Sequence, residues 1–316
     1  MMGVAARMER GWHRFWFRPE PALNLAAARV LVAAHSLWML ASRDYAAFGG
    51  VSPVFWRHVP ATRLWRYLIV PGHPSVDGVL QAIAVVALAA TLLGIAPRVG
   101  AALSALILWH LAPLETAFDS SSALGRGLTL APLALLLLAV SPSGDALSLG
   151  GARVDGRRRT RDYRWAMQLL RLLVVEIYLF SAIGKLERSG LAWGSAERMQ
   201  LWFWWFNQEP VSVVFGTLGP WIASHPWLCG LIGASTVVLE WSMPLALFSR
   251  RAATVLVPIA LAFHVAVMLT LNIHVPEAWL VLVLLDWDAI SRRLRRRSAA
   301  TPPASPNATL RTPAPA

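Results

Sequence analysis

Cysteine and lysine are almost missing from this chain. Cys229 is its single cysteine, which excludes an internal disulfide and any cysteine-based metal cluster. Lys185 is the only lysine among 29 basic residues, the rest being arginine. Charge is scarce altogether: 15% of the 316 residues are charged against 56% hydrophobic, with a mean hydropathy of +0.52. Acidic residues are the rarer sign, leaving a formal net charge of +12. The sequence also lacks a phosphate loop, a nucleophile elbow and a Rossmann fingerprint. Its eight histidines show no ligand spacing, so no metal site is expected.

Apolar blocks of about twenty residues are what the chain has instead, the length needed to cross a hydrocarbon core of roughly 30 Å. The pattern predicts an all-α polytopic transmembrane helical bundle of about eight spans with interfacial helices. The spans run near 23–41, 76–95, 99–114, 124–140 (interrupted by Pro132), 164–185, 228–248, 253–271 and, as a short one, 278–285, with a tight Pro97–Arg98 turn making the second and third an antiparallel hairpin. Residues 1–22 read as a basic amphipathic segment on the membrane surface, 23–290 as the transmembrane domain, and 291–316 as a basic, then Pro/Ala-rich, disordered tail. The first apolar block has no small-residue cleavage site and is expected to be retained.

Arginines cluster beside the apolar blocks rather than on a soluble face, which points to anionic lipid headgroups as partners and not to nucleic acid. Their distribution places both termini, the loop after the fourth span and the Arg250–Arg251 turn in the cytoplasm, for a multi-pass protein of the inner membrane. Arg57, Arg63 and Arg66 violate this scheme and are assigned to an interfacial helix. The long connection 186–227, with Trp193, Trp202–Phe206, Trp221 and Trp227, suits the opposite headgroup level.

Ionisable residues within spans are costly, and this chain has Arg29, His35, Glu176, Glu240 and His264. Each is a functional candidate, set against a structural reading as a buried ion pair. Along the fifth span Arg171, Tyr178 and Lys185 recur every seven residues, within about 40° of one another on a helix, with Ser181 close by. The plain alternative is a packing stripe whose terminal lysine snorkels. Glu176 falls about 160° from Tyr178 and is expected to pair with an arginine of a neighbouring span. His35 and His110 read as satisfied interface histidines. Lysine, unlike arginine, can lose its proton when desolvated, so a lone lysine at the end of an apolar helix is a candidate base. Such a base requires an apolar recess beside the amine.

The piece YLFSAIGKLERSGLAWGSA resembles the motif of the vitamin K-dependent gamma-carboxylase family. The pieces AAARVLV, LLGIAPRVGA, LETAFDSSS, VVLEWSMPLALF and LAFHVAVM follow the family's order, covering about residues 20–285. The chain is similar to bacterial members of the HTTM group, which share the carboxylase's membrane domain. The resemblance implies that Lys185 is a catalytic base deprotonating reduced vitamin K or another quinone, with His264, Asp119 and Glu115 as helpers. It implies Arg29, Tyr178, Glu240 and Trp193 as substrate contacts, and a hydrophobic small molecule as ligand. Asp119, Ser120 and Ser121 stand where the family has an asparagine and a histidine, and these 316 residues are expected to hold no counterpart of the carboxylase's large extramembrane region. A carboxylase- or epoxidase-like enzyme is therefore expected without protein-glutamate carboxylation. Non-catalytic binding, transport or a structural role are the alternatives.

Overall fold

The computed structural model describes residues 2–52, 54, 74–116, 124–150, 155–208 and 217–300. Within them the chain is helical apart from one two-residue strand pair. The expected interfacial helix after the first span, Asp119 and the chain beyond Ala300 lie outside the described residues.

Helix α1 (Met2–Phe17) is the basic amphipathic segment. Strand β1 (Glu20–Pro21) pairs antiparallel with β2 (Arg159–Thr160), Glu20 opposite Thr160. Helix α2 (Ala22–Ala41) starts directly after Pro21, which offers no side-chain cap. Its leading N–H groups donate instead to the carbonyls of Arg158 and Gly156, at 2.9 and 3.0 Å, so the chain just ahead of β2 serves as the cap. After the short α3 (Tyr45–Gly49) come α4 (Pro74–Leu93) and α5 (Pro97–Thr116), joined by a tight turn into an antiparallel hairpin. Gln81 of α4 donates to the carbonyls of Leu40 and Arg43 at 2.8 and 2.6 Å, tying the hairpin to the end of α2. Helix α6 (Leu124–Val140) continues through Pro132, the residue expected to interrupt it.

Helix α7 (Arg161–Ser189) is the long central element. A 3₁₀ turn (Gly190–Gly194), α8 (Ala196–Phe206) and α9 (Leu218–Ala223) form the tryptophan-rich connection. Helix α10 (Pro226–Ser242) follows, then one turn, α11 (Leu245–Phe248), and the long α12 (Arg250–Leu271). A nine-residue 3₁₀ helix spans Pro276–Leu284, and α13 (Trp287–Ala300) carries the arginine-rich run. That run was expected in a disordered tail. It is helical because Ile290 and Leu294 alternate with the arginines and Asp288 pairs with Arg292 one turn on, at 3.0 Å.

Five helices, around α2, α4, α7, α10–α11 and α12, are long and apolar enough to cross a membrane, and α5 and α6 contain shorter apolar stretches. The expected short span near 278–285 is not an α-helix. Helix α12, with 22 residues, rises about 33 Å. The chain must then return so that Asp286 meets Arg250 at the start of α12, at 2.7 Å. The fourteen residues 272–285 would cover only about 21 Å as an α-helix. Extended flanks around a 3₁₀ segment, at about 2.0 Å per residue, make up the difference. This return is buried: Leu280, Val281 and Val283 are at most 1% exposed, packed between α2, α7 and α12.

One large apolar core joins α2, α4–α7, α10–α12 and the return segment. A second, around Met199, Phe203, Ile222 and Cys229, holds the connection to α10.

Candidate functional site

Helix α7 connects two charged clusters. Arg164 and Lys185 are twenty-one residues apart, about 31 Å along the axis, close to the thickness of a bilayer core.

At the far end, Gly190 (φ +57°) breaks α7 in a conformation that favours glycine, and the chain folds into the 190–194 turn. That turn rests on α10 where Gly233 meets Gly194; a Cβ at Gly233 would lie 2.6 Å from the Gly194 carbonyl oxygen. The close approach carries Trp193 to Lys185, whose Nζ is 4.6 Å from the ring centroid, a cation–π distance. Lys185 Nζ donates to Ser181 Oγ at 2.8 Å and forms an ion pair with Glu240 Oε1 of α10. Ser181 also donates to that oxygen, at 3.1 Å. Two turns back on α7, Tyr178 Oη is 2.9 Å from His264 Nε2 of α12, and the buried His264 Nδ1 has no partner among the described residues. Five of the sequence-derived candidates, Lys185, Glu240, Tyr178, His264 and Trp193, with Ser181, are therefore brought together along one face of α7.

The others are not. Arg29 is fully buried in the second turn of α2, at the opposite end, and donates to the carbonyls of Ser143, Ala146 and Leu147 and to Ser148 Oγ at 2.5–3.2 Å. It pins the loop after α6, and four acceptors replace the hydration of its charge. Glu115 lies in the last turn of α5, where only the backbone is described, and Asp119 lies outside the described residues. Glu176 does not have its expected arginine partner on a neighbouring span: it is exposed and makes no ion pair among the described residues. Glu176 instead edges an apolar hollow of about 630 Å³ lined by Leu133, Leu172 and Pro244; Lys185 is not among its lining residues, so this hollow is not the recess expected beside the amine. His110 does have a partner, Asp77, at 3.1 Å. His35 is buried against the Trp279 ring with Nδ1 unpartnered among the described residues, not the satisfied histidine expected.

At the near end the decisive residue is one the sequence reading passed over. Glu20, just ahead of α2, receives Arg164 at 2.8 Å, Arg171 at 3.1 Å and Asn24 at 2.7 Å. Burial alone would push its carboxyl up, but Arg171 and Arg164 outweigh it and hold the carboxyl at about 2. Asn24 donates to Asp286 at 3.2 Å and accepts from the Asp288 amide, and Arg159 pairs with Asp288 at 3.1 Å. The N-terminal segment, the loop before α7, the start of α12 and the start of α13 are thus tied together at one end. The only sequence signal for Glu20 was its place as one of two acids in the basic segment 1–22, the one that borders the first apolar span.

Several apolar helices with buried charges define an architecture compatible with an integral membrane protein. Comparison with family models, with curated proteins and with solved structures returns no match.

Proposed function

We propose that this chain is a multi-pass inner-membrane protein of the HTTM group that acts on a quinone-like or other lipidic molecule, with Lys185 as the base. The observation that carries the reading is the convergence of Lys185, Ser181 and Glu240 beneath Trp193, a titratable amine held against a carboxylate in a mostly buried setting. In low dielectric an ammonium–carboxylate pair and its neutral amine–acid counterpart lie closer in energy than in water, because the neutral pair avoids burying two charges. The ammonium proton moves to Glu240, and the resulting amine takes a proton from a substrate hydroxyl, leaving the ammonium and the substrate anion. Tyr178 and His264 supply a second proton-sharing pair on the same face of α7. About eight passes are supported by the five long helices, α5, α6 and the return through 272–285. Cytoplasmic termini are supported by the gathering of the arginine-rich segments at one end.

Purified protein in detergent, given a reduced naphthoquinone and oxygen, should consume the hydroquinone faster than buffer does. Lys185→Arg, which retains charge but offers no usable base, should lower that rate about a hundredfold or more. An undiminished rate in Lys185→Arg, or no rate above buffer in the wild type, overturns the reading.

The ion pair itself favours a second, structural reading, in which Lys185 and Glu240 clamp α7 to α10. On that reading Lys185→Met lowers the thermal midpoint by leaving a buried carboxylate uncompensated, and adding Glu240→Leu restores it.

A further inference from the structure

The near end holds a cavity of about 330 Å³ whose wall carries Arg18, Arg164, Arg171, Arg250, Arg251 and Asp286. With Glu20 behind Arg164 and Arg171, five guanidinium groups face two carboxylates. Arg164 and Arg171 are engaged by Glu20 and Arg250 by Asp286; Arg18 and Arg251 make no ion pair among the described residues. Arg171, which lines the cavity, is 94% buried, and its buried Nε–H has no acceptor among the described residues. The start of the 22-residue α12 opens at the same place, with Ser249 Oγ accepting from the Ala252 amide at 3.2 Å. A helix N-terminus adds partial positive charge to the guanidinium forks. Ala246, Leu247, Phe248 and Leu284 form the apolar part of the wall, and Phe248 is 76% exposed beside the cavity. Arg18 also lines a neighbouring hollow with Arg14 and Arg161, at the end of the amphipathic α1.

We propose that this cavity is a binding site for a phosphate-bearing anion. Guanidinium groups match phosphate oxygens bidentately, a surplus of cations needs a counter-charge, and an acceptor is missing for a buried donor. The apolar wall beside it suits the acyl chains of an anionic phospholipid whose headgroup fills the arginine-lined part; a soluble phosphate is the other source of the same chemistry. The site is independent of the chemistry at Lys185.

The test uses the full chain purified in neutral detergent, with thermal unfolding followed during titration of dihexanoyl phosphatidylglycerol, dihexanoyl phosphatidylcholine or inorganic phosphate. A saturable rise in midpoint with phosphatidylglycerol, absent with phosphatidylcholine, is expected. Arg18→Gln with Arg251→Gln, both exposed residues, should raise the apparent dissociation constant at least tenfold, whereas Arg10→Gln on the outer face of α1 should leave it unchanged. A saturable rise with the lipid but not with phosphate identifies a headgroup; an equal response to inorganic phosphate identifies a soluble anion. No saturable response to either anion, the same response to phosphatidylcholine, or unaltered binding in the Arg18/Arg251 double variant overturns the proposal.

Discussion

Glu20 illustrates how one side chain can hold two segments far apart in sequence. Its carboxylate is shared by Arg164 and Arg171, and its folded-state value of about 2 lies below the ordinary value of 4.5. A carboxyl depressed in the folded state contributes stability that is complete above its unfolded pKa and is lost as pH falls through the folded value. Two to three pH units of depression correspond to about 3 kcal/mol. Glu20→Gln should therefore unfold at a lower temperature than the wild type at pH 7, and the gap should close between about pH 4.5 and pH 2; a gap independent of pH in that window contradicts the assignment. The sequence marked Glu240 and His264 as buried ionisable residues, and the seven-residue spacing put Tyr178 and Lys185 on one face. Partner choice was not readable. Arg171 lies on the same stripe as Lys185 yet turns to Glu20, and Glu176, in the same helix, faces outward. Those outcomes depend on which helix packs against which flank of α7, information absent from the periodicity of α7 alone.

Among the elements, α10 and the 190–194 turn meet through glycines, so the position of Trp193 over Lys185 rests on a backbone contact. Gly233→Ala would place a methyl 2.6 Å from the Gly194 carbonyl oxygen, and one of the two segments must move. The expected cost is about 1–3 kcal/mol, read as a lower thermal midpoint. Gly230→Ala, whose added Cβ meets its nearest neighbour at an ordinary 3.7 Å, should be close to neutral. Equal midpoints for Gly233→Ala and the wild type would show that the turn does not rest on α10 in this way. Helix lengths and the α4–α5 hairpin were legible because twenty-residue apolar blocks and a proline-marked turn have few other solutions. The segment 272–285 was not. It is apolar enough for a span, but its 3₁₀ form comes from the distance it must cover with fourteen residues, a quantity set by α12 and by the Arg250–Asp286 contact. Its freed backbone groups can persist at this depth only because neighbouring helices bury them.

For the molecule as a whole, the arginine-rich segments collect at one end of α7 and the exposed tryptophans of α8–α10, including Trp204, Trp205, Trp221 and Trp227, at the other. This polarity predicts the orientation. In a Cys229→Ser background, Leu191→Cys should react with a membrane-impermeant maleimide in intact cells, and Arg10→Cys and Arg295→Cys only after permeabilisation; the reverse pattern would invert the topology. All three positions are exposed, so burial does not account for a missing label. Composition was enough to establish a helical membrane-type protein with its basic and aromatic segments sorted, since the energetic demands of hydrocarbon and headgroup layers act on each residue almost independently. Packing alone settled that Lys185 closes on Glu240, that Arg29 is spent on a loop and that Glu20 gathers two arginines. A buried charge takes whichever counter-group the neighbouring helices present within about 4 Å, and that neighbourhood exists only once the helices have assembled.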